Sequence, residues 1–299
     1  MRKRVLITGA TGVIGEQILS LLCENNFIVN ALYRRSVEQM ADVNWLRFDV
    51  LEDSTASLFS NYSDIDVIIH CAASLKTGIN ETEVFELQRV NIDFTKDLLD
   101  FSVQKKVSKV IFLSTLSSLD KPLPYLITEE SSLNPVSFYS KSKLIGEELL
   151  IEYSRRFCFD YSILRISSPI VNDINKMYYS VVRNWIATAK ENKTITIFGK
   201  GKRRQDFIAV SDISNAVLLA INNNKNGVFN IASGSTISME ELAKIICKEY
   251  NSAYKFEGVD LNEDDKWYIS IEKAHKELGY VPQYKSCEVI YNLLKSIPS

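Results

Sequence analysis

The first fifteen residues constrain the fold more than any other part of this 299-residue chain. Val5-Leu6-Ile7 is a short aliphatic run that favours a strand. Thr8-Gly9-Ala10-Thr11-Gly12-Val13-Ile14-Gly15 follows at once, and Ile14, Ile18, Leu21 and Leu22 then recur at helical spacing. Strand, glycine-rich turn and helix, in that order, make the opening unit of a dinucleotide-binding fold. The glycines allow a tight turn and close approach to a pyrophosphate, and the free N–H groups at the helix start hold its charge. The spacing is Gly-x-x-Gly-x-x-Gly rather than the standard Gly-x-Gly-x-x-Gly. The alternative is a strand–turn–helix that merely uses glycine.

Strand and helix patterns then alternate. Candidate strands are Arg4–Thr8, Ile28–Tyr33, Trp45–Phe48, Val67–His70, Val110–Ser114 and Tyr161–Ile166, with candidate helices near 13–24, 54–60, 84–103 and 137–157. This alternation predicts an α/β, Rossmann-type doubly wound parallel sheet, with ligands beyond the C-terminal ends of its strands. After Ile166 the rhythm loosens. A helix near 176–191 precedes a short strand, Thr194–Phe198, and a charged turn from Gly199 to Arg204. Ser238-Met239-Glu240-Glu241 reads as a capping box before a helix ending near Tyr250. The expected division is a dinucleotide-binding domain over 1–166, which also receives part of 205–232, and a smaller α/β substrate-binding domain over 167–299.

Lys and Arg number 35 against 37 Asp and Glu, which argues against nucleic acid or a membrane surface as a partner. The apolar runs are too short to span a bilayer, and the one after Met1-Arg2-Lys3-Arg4 is too short for a signal peptide. The five cysteines include no Cys-x-x-Cys pair and read as free thiols of a reducing cytoplasm. With His70 and His275 the only histidines, no metal site is expected.

Tyr139 and Lys143 stand four apart at the start of a predicted helix, on one face of it. An ammonium beside a phenol favours phenolate, which makes the tyrosine a workable acid/base near neutral pH. Tyr291 and Lys295 repeat the spacing. Position separates the two pairs: the first follows the strand that ends in Ser114-Thr115, and the second follows nothing that holds a cofactor.

These motifs resemble the extended short-chain dehydrogenase/reductases, in the branch of nucleotide-sugar epimerases, dehydratases and reductases. The resemblance covers essentially the whole chain. Besides the glycine motif it rests on Ile68-Ile69-His70-Cys71-Ala72-Ala73, Val90-Asn91, Leu113-Ser114-Thr115, Tyr139 with Lys143 and Leu164-Arg165. Further along it rests on Arg203-Arg204-Gln205-Asp206-Phe207-Ile208-Ala209-Val210-Ser211-Asp212 and Phe229-Asn230-Ile231-Ala232-Ser233-Gly234. It implies that Tyr139 is the general acid/base, that Lys143 binds the nicotinamide ribose and lowers the tyrosine pKa, and that Thr115 holds the reacting oxygen. Gly9, Thr11, Gly12, Val13, Ile14 and Gly15 would cradle the cofactor. Asp49 and Val50 would touch its adenine, Cys71, Ala72, Ala73 and Ile166 would pack beside it, and Asn91 would support that network. Ser74, Thr115, Leu116, Ser168 and Arg204 are the expected substrate contacts. His70 reads as a satisfied strand-end histidine.

An NAD site usually places Asp or Glu about twenty residues past the glycines, for the ribose 2′-hydroxyl. Here the second strand ends in Leu32-Tyr33-Arg34-Arg35, and arginine suits a 2′-phosphate. NADP(H) is therefore favoured over NAD(H), with two solvated arginines as the alternative. Dehydratases of this branch carry an acid pair just after the threonine. Leu116-Ser117 stands there instead, which argues against dehydration. The family's Val-Tyr-Gly is missing, and its Arg-x-x-Asn-x-x-Gly-Pro is degraded to Arg165-Ile166-Ser167-Ser168-Pro169-Ile170-Val171. The expected function is NADPH-dependent reduction of a ketone, most naturally the 4-keto group of a nucleotide-linked deoxysugar. A 4-epimerase, a reductase of a non-sugar carbonyl and a non-catalytic NADPH sensor are the rivals. The resemblance also implies a homodimer through the helices near 84–103 and 137–157, exposing Val84, Phe85, Leu87, Phe94, Leu144, Leu149 and Ile151.

Overall fold

The computed structural model describes residues 2–34, 40, 42–55, 58, 62, 64–76, 78, 80–119, 124–178, 180–263 and 267–298. The first half alternates β1 (Arg4–Thr8), α1 (Val13–Glu24), β2 (Ile28–Tyr33), β3 (Val43–Arg47), β4 (Val67–His70), α2 (Glu81–Leu87), α3 (Phe94–Gln104), β5 (Lys109–Thr115), β6 (Leu126–Ile127), α4 (Phe138–Phe157) and β7 (Asp160–Ile166). The second half is built of shorter pieces: β8 (Ser168–Ile170), α5 (Val181–Lys190), β9 (Ile195–Phe198), β10 (Arg204–Gln205), β11 (Phe207–Ala209), α6 (Val210–Ile221) and β12 (Gly227–Ile231). It ends with β13 (Ile237–Ser238), α7 (Met239–Tyr250), β14 (Tyr254–Glu257), β15 (Tyr268–Ile269), α8 (Glu272–Leu278) and α9 (Ser286–Ser296).

Seven strands form one sheet in the order β12-β7-β5-β4-β1-β2-β3, every neighbouring pair parallel. Alternate residues of each strand feed opposite cores, as the two-residue period requires. Val5, Ile7, Val29 and Ile69 pack with Ile18 and Leu22 of α1 and Ile213 and Val217 of α6. Leu6, Ile68, Val110 and Phe112 pack on the other face with Phe94 and Leu98 of α3 and Leu150 of α4. The chain moves from β1 outward to β3 and then returns to place β4 on the other side of β1. That reversal opens the crevice where ligands of such sheets bind. Outside the sheet, α5, α7 and α9 enclose a separate apolar core with β9 and β11. Short strand pairs β10–β13, β8–β11, β9–β14 and β6–β15 complete this part.

The elements differ from expectation at their ends. The third strand lies at Val43–Arg47 rather than Trp45–Phe48. Most of the helix expected near 54–60 lies outside the described residues. The helix expected at 84–103 begins at Glu81, because the Asn80 side chain accepts from the Glu83 N–H at 2.9 Å. Between α2 and α3 it passes through a π-helical turn, Gln88–Asp93. The helix expected from 176 begins at Val181, capped by Ser180, after turns at 173–177. The capping box at Ser238–Glu241 is present. Leu87 and Phe94, expected on an exposed face, are buried at 2% and 1% exposure because they face the chain's own sheet. Phe85 and Ile151 do reach the surface.

Candidate active site

The glycine turn is glycine by steric necessity. Gly9 has φ +67°, and a Cβ there would lie 2.7 Å from the Ala72 nitrogen; one on Gly15 would lie 2.0 Å from the Gly9 carbonyl oxygen. Gly12 N–H donates to Gly9 O at 3.0 Å and closes the turn. Gly12 is also the N-cap of α1 and brings no side chain to the helix's first N–H groups, so they face the crevice ready for an anion. These are the features of a pyrophosphate cradle.

Behind the cradle a buried network joins the strand ends. Thr8 Oγ1 lies 2.7 Å from His70 Nδ1 and accepts from the Ala72 N–H at 3.1 Å, while His70 Nε2 lies 2.9 Å from Thr95 Oγ1. Burial, reinforced by the Lys143 charge, holds the His70 pKa well below its ordinary value. The ring is thus a neutral bridge with both nitrogens engaged. Asn91, in the π-helical turn, accepts from Ser74 N–H at 2.7 Å and donates to Ser74 O at 3.0 Å and Ser142 Oγ at 2.9 Å. One amide therefore fastens the loop after β4 to α4.

Helix α4 carries the tyrosine–lysine pair. Ser137 and Ser140 close a capping box at its start, which sets Tyr139 in the first turn and Lys143 one turn on. The helix is bolted to the sheet by Glu147, only 2% exposed. Its carboxylate takes three contacts from Arg165 at 2.7–3.2 Å and one from the Ser114 hydroxyl. The Lys143 Nζ lies 4.0 Å from the centroid of the Phe112 ring. Burial lowers the Lys143 pKa to about 8. Burial, with a smaller contribution from Tyr178, pushes Tyr139 up to about 12. The sequence had pointed to a phenol lowered by its lysine; burial raises it instead. Thr115 Oγ1 donates to Ser117 Oγ at 3.0 Å and accepts from Ser117 N–H at 3.1 Å.

Gly9, Gly12, Val13, Ile14 and Gly15 line one cleft of about 630 Å³ together with Thr115, Tyr139, Lys143, Cys71, Ala73, Ile166 and Ser168. This lies within the size range of small-molecule and cofactor sites. A second recess of about 250 Å³ continues from the cradle toward β2 and holds Thr11, Arg34, Asp49, Val50, Ala72 and Ser74. Arg35 lies outside the described residues. Leu116 faces a third recess of about 220 Å³, shared with Thr115 and Ser168 and walled by Trp267 and Ile269. Asn91 stands behind the cleft rather than on its wall. Arg204 is not on the wall either: its guanidinium donates to Thr236 Oγ1 at 2.7 Å and Thr236 O at 2.6 Å, and its neighbour Arg203 lines the cleft. Tyr291 of the second tyrosine–lysine pair lies on α9, away from the cleft and 45% exposed. Sequence reasoning missed Tyr178, Gln205 and Met239 on the far wall. No local motif marks Tyr178, while Met239 lay in a capping box and Gln205 in a family motif, neither of which points to the cleft.

The dinucleotide fits what is present: a cradle that a Cβ would fill, unfilled helix N–H groups and a recess on each side. Among the described residues no cluster of metal-ligating side chains occurs, and no helix is long and apolar enough to cross a membrane.

Known proteins are similar to this chain in sequence or in fold. A protein of Methanocaldococcus jannaschii described as a putative UDP-glucose 4-epimerase is 30% identical over 288 residues, covering 93% of each chain. The solved UDP-glucose 4-epimerase of Thermotoga maritima with UDP-glucose superposes with a TM-score of 0.85 at 23% identity over 98% of both chains. The UDP-glucuronic acid 4-epimerase of Bacillus cereus with UDP-glucuronic acid and NAD gives 0.83 at 23% identity, again over 98% of both chains. These two solved structures share the fold. The NAD dependent epimerase/dehydratase family matches residues 5–232, and this chain belongs to that family of NAD(P)-dependent enzymes.

Proposed function

We propose that this enzyme inverts carbon 4 of a nucleotide-linked sugar by oxidation to the 4-ketone and reduction from the other face. The observation that carries the reading is the single cleft in which the glycine cradle meets Thr115, Tyr139 and Lys143. Epimerisation is preferred to irreversible reduction because the M. jannaschii relative, described as a putative 4-epimerase, aligns along almost the whole chain. Dehydration is disfavoured because Leu116 and Ser117 offer no carboxylate beside Thr115.

When bound, the nicotinamide supplies the acceptor and donor of hydride. The chain's own groups handle the proton. Tyr139 stands at the cleft wall, where as phenolate it would take the proton from the sugar 4-hydroxyl and as phenol return it to the same oxygen. Thr115 holds the same oxygen by a hydrogen bond. Lys143 offers a positive charge that favours transient phenolate, against the desolvation that raises the phenol. Arg203, whose Nε donates to Asp260 at 2.8 Å, is the arginine on the cleft wall suited to the sugar's diphosphate.

A second reading, NADPH-dependent reduction of a 4-keto nucleotide sugar, is favoured by Arg34 on the adenosine-side recess and by the lack of an acid at the end of β2. One experiment separates the two. The protein is incubated with UDP-glucose, UDP-N-acetylglucosamine or UDP-glucuronic acid without added reductant, and the carbon-4 configuration is followed by proton NMR. A mixture of the two 4-epimers supports epimerisation. No inversion, with stoichiometric NADPH oxidation when a 4-keto nucleotide sugar is supplied, replaces it with the reductase.

A further inference from the structure

Among the described residues, five line both the main cleft and the adenosine-side recess: Gly9, Gly12, Cys71, Ala73 and Tyr178. The first four belong to the turns after β1 and β4. Tyr178 comes from the opposite side, from the segment between β8 and α5. A dinucleotide that occupies both spaces must pass through this waist. Its pyrophosphate therefore runs between the glycine turn and the Tyr178 phenol. The waist is narrow in this structure: the Tyr178 oxygen stands 3.9 Å from the point where a Cβ on Gly12 would lie, so the two sides come within a small side chain's breadth of each other.

The strap that carries Tyr178, residues 173–178, is fastened on both sides of the crevice. Lys176 Nζ pairs with Glu16 on α1 at 2.5 Å, and both side chains are about half exposed. Met177 is buried in the core around α5, and its carbonyl accepts from Arg183 Nη1 at 2.6 Å. The second attachment is a packed anchor. The first is a solvent-screened surface ion pair, and so a latch that opens readily.

We propose that Tyr178 is a dinucleotide-binding residue and that the 173–178 strap is the gate through which the cofactor enters and leaves. The strap swings on its Met177 anchor when the Lys176–Glu16 latch parts. On closing, the Tyr178 hydroxyl donates to a pyrophosphate oxygen. Burial raises the Tyr178 pKa, so the phenol keeps the proton it donates. The inference rests on reading the cleft as the dinucleotide site, not on which sugar reacts. It also deepens the proposed function, since a gated cofactor stays bound between turnovers, as an epimerase requires.

The test measures cofactor dissociation without sugar. The full chain is loaded with NADH or NADPH, chased with excess oxidised dinucleotide, and the loss of bound-nicotinamide fluorescence is timed. Tyr178→Ala is expected to dissociate at least about tenfold faster, and Tyr178→Phe, which keeps the ring, about threefold faster. Lys176→Met is expected to speed association and dissociation together with little change in Kd, the signature of a gate rather than a contact. Dissociation from Tyr178→Ala and Tyr178→Phe within twofold of the parent overturns the binding role. Unchanged rates in Lys176→Met overturn the gate. Tyr178→Phe still decides the binding role if the alanine variant does not fold. Failure to invert any sugar, with these rate changes intact, would count against the epimerase reading alone.

Discussion

The two walls of the cleft are built in different ways. The sheet-side wall comes from short contiguous segments: the glycine turn, the loop after β4, the end of β5 and the start of α4. Each presents several site residues at fixed local spacing. The far wall is assembled from stretches far apart in the sequence, Ser168–Val171, Met177 with Tyr178, Arg203 with Gln205, and Met239, beside the core around α5, α7 and α9. Chemistry that depends on local spacing, the cradle and the tyrosine–lysine pair, sits on the first wall. Selection and retention of ligands fall to the second. A sequence motif can therefore announce the reaction class long before it announces the substrate.

The sharpest way to break this comparison is to remove the reacting phenol. Tyr139→Phe is expected to lower kcat at least about a hundredfold, the usual scale of general acid catalysis, with cofactor binding retained in fluorescence titration. Tyr291→Phe is expected to leave kcat within twofold. Equal losses would mean that position in the fold does not distinguish the pairs.

The far wall is tested by its two neighbouring arginines. Arg203→Ala is expected to raise KM for the nucleotide sugar about tenfold, the loss of one charge-assisted contact of ~1.5 kcal/mol. Arg204→Ala is expected to alter KM less than twofold and to lower the melting temperature, since its bonds are to Thr236. The reverse result would move the diphosphate site.

Arg34 probes the limit of local reading on the first wall. If it meets a 2′-phosphate, Arg34→Ala is expected to cut the NADPH-over-NADH affinity ratio about five- to tenfold in titration. Equal affinity of the parent protein for the two cofactors would leave Arg34 a solvated residue.

A separate effect concerns stability rather than turnover. Lys143 is buried, with its pKa lowered to about 8, so the folded state disfavours its charged form. Below pH 8 both folded and unfolded chains carry the proton, and the folded state bears the whole cost, of order ~3 kcal/mol for a shift of this size. Between about pH 8 and the ordinary lysine value the unfolded chain binds more protons, and stability rises with pH. Lys143→Met is expected to melt several degrees higher than the parent at pH 7, with the gap closing toward pH 10. A gap constant over that range would show that the ammonium is not the cause.

Much of the first region was legible. β1, β2 and β4 lie where the aliphatic runs place them, and the glycine turn has the strain its composition announces. The second region was harder because β10, β13 and β15 are two residues long, too short for any period to show. The electrostatics were misread for a related reason. Four-residue spacing shows that Lys143 accompanies Tyr139, but only the assembled fold shows how deeply both are desolvated, and that burial raises the phenol and lowers the lysine. Leu87 and Phe94 were assigned to an exposed face because helical spacing does not say which side the sheet lies on.

The π-helical turn at Gln88–Asp93 makes its helix sensitive to length as well as to composition. Such a turn carries more residues than an α-helical one, and here it is what aims Asn91 at Ser74 and Ser142. Deleting any one of its six residues would let the segment rewind as regular α-helix. Everything downstream would keep nearly the same facing, because the wide turn winds about as far as an α-helical stretch one residue shorter, so Phe94, Leu98 and Phe101 would stay in the core they fill while Asn91 lost its aim. The extra residue of the wide turn therefore works as a spacer, turning Asn91 inward without shifting the helix faces on either side of it.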